Sequence, residues 1–175
     1  MTVTIDGTLG ITTPAATVSG ALSAASETFT ATPVVTTAQS MIFLSLDNGY
    51  GATNTVIRRF TNTITSQGAD ITYADSATLG ASFTINTNGV YAISYSDNLT
   101  ASGEIGISLN SNQLTTSIAS ITAANRLAEA TVPSANATAS VSWIGYLASG
   151  SVIRAHTAGT AAGSVASEFT ITRVA

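Results

Sequence analysis

The sequence offers few side chains that could perform catalysis or hold a metal ion. His156 is the only histidine and there is no cysteine. A metal site would therefore need carboxylates at matching spacing, and a surface or interface histidine is the favoured interpretation. A serine triad would also need this histidine, and the chain contains no Gly-x-Ser-x-Gly elbow. Nucleophilic catalysis is not expected.

Acidic residues raise the question of glycoside cleavage, which requires two carboxyl groups about 5–9 Å apart. Any all-β protein with nine acids offers such a pair by chance. Hydrolysis of a polysaccharide is therefore the least favoured function. The acids considered are Asp70, Asp75, Asp97, Glu104 and Glu129.

Two short segments, Asp97-Asn98 and Asp47-Asn48-Gly49, hold oxygen ligands suited to Ca²⁺. Asp and Asn also bond their own backbone in turns, and turns are the favoured interpretation. We predict that Asp97 and Asn98 lie in outward loops, together with Tyr50, whose ring could stack on a sugar or a protein. No cofactor is predicted.

Arg58 and Arg59 form the only adjacent cationic pair. On a strand their side chains point to opposite faces. An ion pair, in particular one at an interface, is therefore favoured over an anion site.

Charge is scarce throughout the chain, at 8% of 175 residues, while 45% are hydrophobic and lysine is absent. A typical soluble domain has about a quarter of its residues charged. Copies of this chain would repel one another weakly, which predicts a structural or binding role in an assembly. The five cations form no basic stripe, so nucleic-acid binding is not expected.

No apolar run approaches the roughly 20 residues of a membrane span, and no signal peptide is visible at the first residues. We therefore expect no membrane insertion. A cytosolic origin followed by assembly elsewhere is compatible with this.

Short runs of Thr, Val, Ile and aromatic residues between Gly, Asn, Asp and Ser predict a sandwich of many strands. Asn88-Gly89 is predicted as a turn, because both residues tolerate positive φ. In the following strand Tyr91, Ile93 and Tyr95 share one face by the period of two. The other face is also uncharged, which predicts that protein covers both faces.

Further strands are predicted along the rest of the chain, with a turn at 47–49 and at most a short helical turn within 119–130. In the strand 139–147, Trp143 and Tyr146 lie on opposite faces. The predicted strands are 41–46, 56–60, 83–85, 90–96, 104–109, 114–121, 139–147, 151–156 and 168–174.

Residues 1–39 have a different composition, with Gly and Pro among Thr, Ala, Ser and Val, and one possible strand at 3–5. We predict an extended N-terminal arm that anchors a domain formed by residues 40–175. A loose linker is the alternative. The predicted anchoring residues are Ile5, Leu9, Ile11 and Pro14.

The order of elements over residues 40–175 resembles the C1q/TNF-like jelly roll. The resemblance is carried by Phe83-Thr84-Ile85, then Asn88-Gly89-Val90-Tyr91, then Gly150-Ser151-Val152-Ile153 and the closing strand at 169–173. Asn88 and Ser151 depart from it, because the family usually has Pro and often Asp there. The opening segment 6–14, with the Thr/Ala/Ser-rich composition, resembles bacteriophage virion proteins of the tail-fibre and decoration types.

The resemblance implies an antiparallel jelly-roll sandwich that forms a homotrimer about a three-fold axis. The alternation of side chains along a strand does not determine which strand face lies on the three-fold axis. The candidates for core or trimer contacts are Tyr91, Ile93, Tyr95, Trp143, Tyr146 and Phe169.

The function expected from these observations is that of a non-enzymatic bacteriophage virion protein, either a tail fibre or appendage, or a capsid decoration protein. The arm would bind other virion proteins. Loops near 47–54, 97–103 and 158–166 would face outward and contact a host-surface glycan or protein. The alternative is a secreted C1q-like binding module of cellular origin, for which a signal peptide or a collagen-like Gly-X-Y stretch would be expected.

Overall fold

A computed structural model of the chain describes residues 39–159 and 167–175. Residues 1–38 of the predicted arm, including Ile5, Leu9, Ile11 and Pro14, lie outside the described residues. Residues 160–166 of one predicted outward loop also lie outside them. The strands are β1 (Met41–Tyr50), β2 (Arg58–Gln67), β3 (Ile71–Ser76), β4 (Gly80–Ile85), β5 (Gly89–Leu99), β6 (Gly103–Leu109), β7 (Arg126–Val132), β8 (Ala137–Leu147), β9 (Val152–Ala158) and β10 (Glu168–Arg173).

The strands form two five-stranded sheets with antiparallel pairing. Sheet A has the order β2-β1-β10-β5-β8, and sheet B has the order β3-β4-β9-β6-β7. The first and last strands are neighbours in sheet A, and β4 lies beside β9 in sheet B. This order is that of a jelly roll, which confirms the predicted fold class.

The core lies between the two sheets, because alternate side chains of each strand point inward. Tyr91, Ile93 and Tyr95 are buried there, as their shared parity predicts. Phe169 stacks on Phe83 across the sandwich, with ring centroids 4.2 Å apart. The inner side chains of both sheets therefore make one continuous core.

The two aromatic residues of β8 have different environments. Trp143 is partly buried and packs against the core. Tyr146 has the opposite parity and is 63% exposed. Tyr146 is thus not a core residue of the single chain.

Two predicted turns are wrong in position. Neither Asn88 nor Gly89 has positive φ, because β4 and β5 belong to different sheets and the chain between them crosses the sandwich without a hairpin. The segment 47–49 lies inside β1, where a shift in the pairing with β2 accommodates the positive φ of Gly49. The actual connection between β1 and β2 is residues 51–57.

The predicted strand at 114–121 does not form. Two short 3-10 helices lie at Ile118–Ser120 and Ala123–Asn125, and β7 begins at Arg126 within the region rich in helix formers. Ile118 and Ile121 are three residues apart, a spacing that puts both on one side of a 3-10 turn. Both are buried, so this segment satisfies its apolar residues by packing and not by strand pairing.

No helix among the described residues is long and apolar enough to cross a membrane.

Candidate assembly interface

The outer face of sheet A carries rows of uncharged side chains that run across four strands. One row joins Phe43, Thr170, Ser94 and Ser142, and the next joins Met41, Thr172, Ala92 and Ile144; Val90 opposite Tyr146 extends the face. On the other side of the Phe43 row, the next row contains Glu168. It is the one ionisable side chain in the rows described here.

Large apolar side chains on this face are open to solvent in the single chain. Ile144 is 67% exposed and Tyr146 is 63% exposed. Beside them lies a shallow, mainly apolar depression of about 370 Å³, lined by Ala92, Ser94, Trp143 and Thr172 among others. An exposed apolar surface of this kind is typical of an interaction site.

Sheet B differs, because the chain itself covers part of its outer face. Residues 111–121 lie over β6 and β9, where Ile118 is 0% and Ile121 is 4% exposed. Gly106 makes room for this covering, since a Cβ on Gly106 would overlap the side chain of Ile118. Of the two outer faces in the described chain, the face on sheet A is the one without such a covering segment.

His156 lies beneath this covering and is fully buried, so its prediction as a surface or interface residue is wrong. Its Nε2 lies 2.6 Å from the carbonyl oxygen of Thr116. Burial is the main cause that lowers the pKa of the ring. Among the described residues, no group of three or more His, Asp or Glu side chains could hold a metal ion.

Asp97 was predicted in an outward loop, and this is wrong. It lies in β5 and is fully buried, because it continues the inward parity of Tyr91, Ile93 and Tyr95. Asn98 also belongs to β5, where its side-chain amide donates to the carbonyl of Asn136 at 2.8 Å.

A buried polar cluster surrounds Asp97. The Nε of Arg58 donates to the Asp97 carboxylate at 2.7 Å, and its Nη1 reaches Asp47 at 2.7 Å. Asp97 also accepts from the Tyr95 hydroxyl at 2.7 Å and from the Ser167 hydroxyl at 2.5 Å. These bonds satisfy an ion pair whose two members are fully buried, which is the condition for a charge in the interior.

The two adjacent arginines point to opposite faces, as predicted. Arg59 pairs with the carboxylate of Asp75 through contacts of 3.0 and 2.8 Å, near the surface. Arg58 and Arg59 both bind acids of their own chain, and the interface pair stays a prediction.

Tyr50 is the last residue of β1 and belongs to the same cluster. Its ring lies over the Arg58 guanidinium, 4.5 Å from the centroid, and its hydroxyl donates to the carbonyl of Gly159. Burial raises the pKa of Tyr50 to about 12. The ring is therefore engaged within the chain and is not the free loop aromatic that was predicted.

The strand directions give the sandwich two distinct ends. Residue 39 precedes β1 at one end, and the connections 51–57, 77–79, 100–102 and 133–136 lie at the other. Residues 159 and 167 also lie at this far end. The described parts of the three predicted outward loops therefore share one end of the domain, opposite to residue 39.

Comparisons with known proteins identify the fold and no closer relationship. No family model matches the sequence, and no curated protein matches it. The crystal structure of murine APRIL at pH 8.5 has a TM-score of 0.53 at 11% identity, covering 78% of this chain and 99% of that chain. The structure of murine APRIL at pH 5.0 has a TM-score of 0.52 at 12% identity, with the same coverage. The described chain is thus a TNF/C1q-like jelly roll, as the resemblance implied.

Proposed function

We propose that this chain is a non-enzymatic structural protein of a bacteriophage virion. It is assembled in the host cytoplasm as a homotrimer of jelly rolls and serves as a tail fibre, an appendage or a capsid decoration protein. The observation that carries the proposal is the open outer face of sheet A, which has Glu168 as the one ionisable side chain in the rows described above, beside a sheet B that the chain partly covers. The low charge of the whole chain and its virion-like opening segment add support.

The occupant of the open face is a second copy of this chain. Burying apolar surface stabilises an assembly by about 25 cal/mol per Å², and Ile144, Tyr146 and the depression supply such surface. The rows that contain them hold no charge, so no ion loses its hydration. Closed symmetry is the rule for such assemblies, and the C1q/TNF resemblance favours three copies.

The two ends of the domain suit an anchored particle protein. The described domain begins with residue 39 at one end, and we assign to residues 1–39 the attachment to other virion proteins. The loops of the opposite end lie far from residue 39, and we assign to them the contact with a host-surface glycan or protein.

Light scattering tests the trimer, with an expected mass of three times the 17.6 kDa chain. Replacing Ile144 and Tyr146 together by Asp should give monomers that stay folded, since both side chains are largely exposed. Leu79→Asp is the matched control: Leu79 is 55% exposed but lies at the far end, so its variant should remain trimeric. A monomeric parent protein at micromolar concentration contradicts the trimer.

The virion role is tested by removing residues 1–39. The truncated protein should remain a folded trimer that is absent from purified particles, whereas the full chain is detected in them by mass spectrometry. Absence of the full chain from particles contradicts the virion role. Turnover of capsule polysaccharide by the pure protein contradicts the non-enzymatic assignment.

A further inference from the structure

Residues 111–121, here called the strap, form an added layer on the outer face of sheet B. The strap follows β6 and ends before the second 3-10 helix. Ile118 packs against the bare backbone of Gly106, and Ile121 is also buried. The strap therefore buries its own apolar side chains, Ile118 and Ile121, against the outer face of sheet B.

Two ionisable side chains on the sheet hold the strap by hydrogen bonds. His156 on β9 reaches the carbonyl of Thr116 at 2.6 Å through Nε2. The carboxylate of Glu104 on β6 accepts from the hydroxyl of Ser117. The two contacts reach consecutive residues of the strap, Thr116 and Ser117, which come directly before Ile118.

The bond from His156 determines the tautomer of its neutral ring. A carbonyl oxygen can only accept, so Nε2 carries the hydrogen and the neutral ring has its lone pair on Nδ1. Nδ1 is buried and has no hydrogen-bond partner among the described residues. A second proton would therefore place a buried donor and a positive charge where no acceptor stands, which is costly.

Among the charged groups near the ring, Arg154 makes this cost larger. Arg154 lies two residues away on the same face of β9, and its charge opposes a second cation. On β6, Glu104 is committed to Ser117. The strap has no ionisable side chain, nor has the segment 51–57, whose Ile57 pairs with His156. On β7, Arg126 and Glu129 pair with each other at 2.9 Å.

We propose that the strap is an acid-sensitive cover: protonation of His156 releases residues 111–121 and exposes Ile118, Ile121 and the outer face of sheet B. This inference concerns the single domain and does not depend on the proposed virion function. It adds two apolar side chains, Ile118 and Ile121, that are exposed only in acid, on the side of the sandwich opposite to the candidate assembly interface.

The direction of the pH dependence follows from the environment of the ring. Burial is the largest cause and holds the pKa of His156 below its ordinary value while the strap is closed; the bond to Thr116 opposes this, and the charge of Arg154 adds to the lowering. The closed strap is therefore fully stable above the ordinary histidine pKa of about 6.5. Its stability falls as the pH drops below that value toward the lower pKa of the closed state.

Hydrogen exchange followed by mass spectrometry tests the proposal on the full chain between pH 8 and 4.5, with intrinsic rates corrected for pH. Protection of the strap amides should fall by roughly tenfold per pH unit below about 6.5, while amides of β5 remain protected. His156→Gln keeps an N–H donor but cannot titrate, so strap protection in this variant should be independent of pH. Persistence of the fall in His156→Gln, or its absence in the parent protein, overturns the proposal.

A second measurement needs no variant. His156 is the only histidine, so a single imidazole signal can be titrated by NMR in the parent protein. The expected midpoint lies below about 6.5 and coincides with the loss of strap protection. A midpoint at or above that value, or one that does not coincide with the exchange transition, overturns the proposal even if His156→Gln fails to fold.

Discussion

Replacing Asp97 by Ala is the most informative perturbation of this fold. Asp97 balances the charge of Arg58, and both side chains are fully buried. Without the carboxylate, Arg58 keeps only Asp47, whose side chain is 18% exposed. The hydroxyls of Tyr95 and Ser167 lose their acceptor as well.

The expected loss follows from these contacts. Removing one member of a buried ion pair costs about 3–5 kcal/mol, because the other charge stays buried without its partner. A domain is stable by only about 5–15 kcal/mol, so Asp97→Ala should lose a large fraction of the free energy of unfolding. Arg58→Met with Asp97→Leu should lose less than Asp97→Ala alone, because the one charge left without its partner, Asp47, is not fully buried: its side chain is 18% exposed.

Urea unfolding at one fixed protein concentration measures these losses, since the proposed assembly would make stability depend on concentration. The neighbouring pair of Arg59 and Asp75 is the matched control. It lies near the surface, with side chains 19% and 24% exposed, so Asp75→Ala should cost at most about 1 kcal/mol. Equal losses for Asp97→Ala and Asp75→Ala would refute the reasoning that burial decides the cost.

Three further predictions concern packing and titration. Gly106→Ala should destabilise the fold by about 1–3 kcal/mol, measured by urea unfolding, because its Cβ overlaps Ile118; a neutral effect contradicts the close packing of the strap. Phe169→Ala should cost about 3–5 kcal/mol by the same measurement, because its ring stacks on Phe83 in the core; a loss below about 1 kcal/mol contradicts the core assignment. The pKa of Tyr50 is raised to about 12 from its ordinary 10.0, so the stability that it provides is complete below about pH 10 and is lost as the pH rises toward 12. Thermal unfolding at pH 9 and 11 should show a smaller decrease for Tyr50→Phe than for the parent protein, and equal decreases contradict this assignment.

Local alternation accounts for the parts of the structure that could be predicted. The inward set Tyr91, Ile93 and Tyr95 follows from a period of two within one strand. The same period extends to Asp97, so its burial could have been predicted from parity. The interpretation as a turn residue prevailed because Asp-Asn pairs are common in turns.

Long-range contacts account for the parts of the structure that could not be predicted from the sequence. The burial of His156 depends on Thr116, forty residues earlier in the chain. Its strand pattern alone does not show that a distant segment covers its outer face. The apolar residues of 114–121 likewise fit a strand until the surface against which they pack is known.

The amino-acid sequence by itself determined an all-β chain with little charge and an inward-facing aromatic set, because strand propensity and alternation are properties of neighbouring residues. Only the tertiary structure decided which strands share a sheet, which charges lie inside, and which outer face remains open. Those outcomes depend on pairing between residues far apart in the chain, such as β1 with β10, and on the strap closing over one sheet while leaving the other exposed.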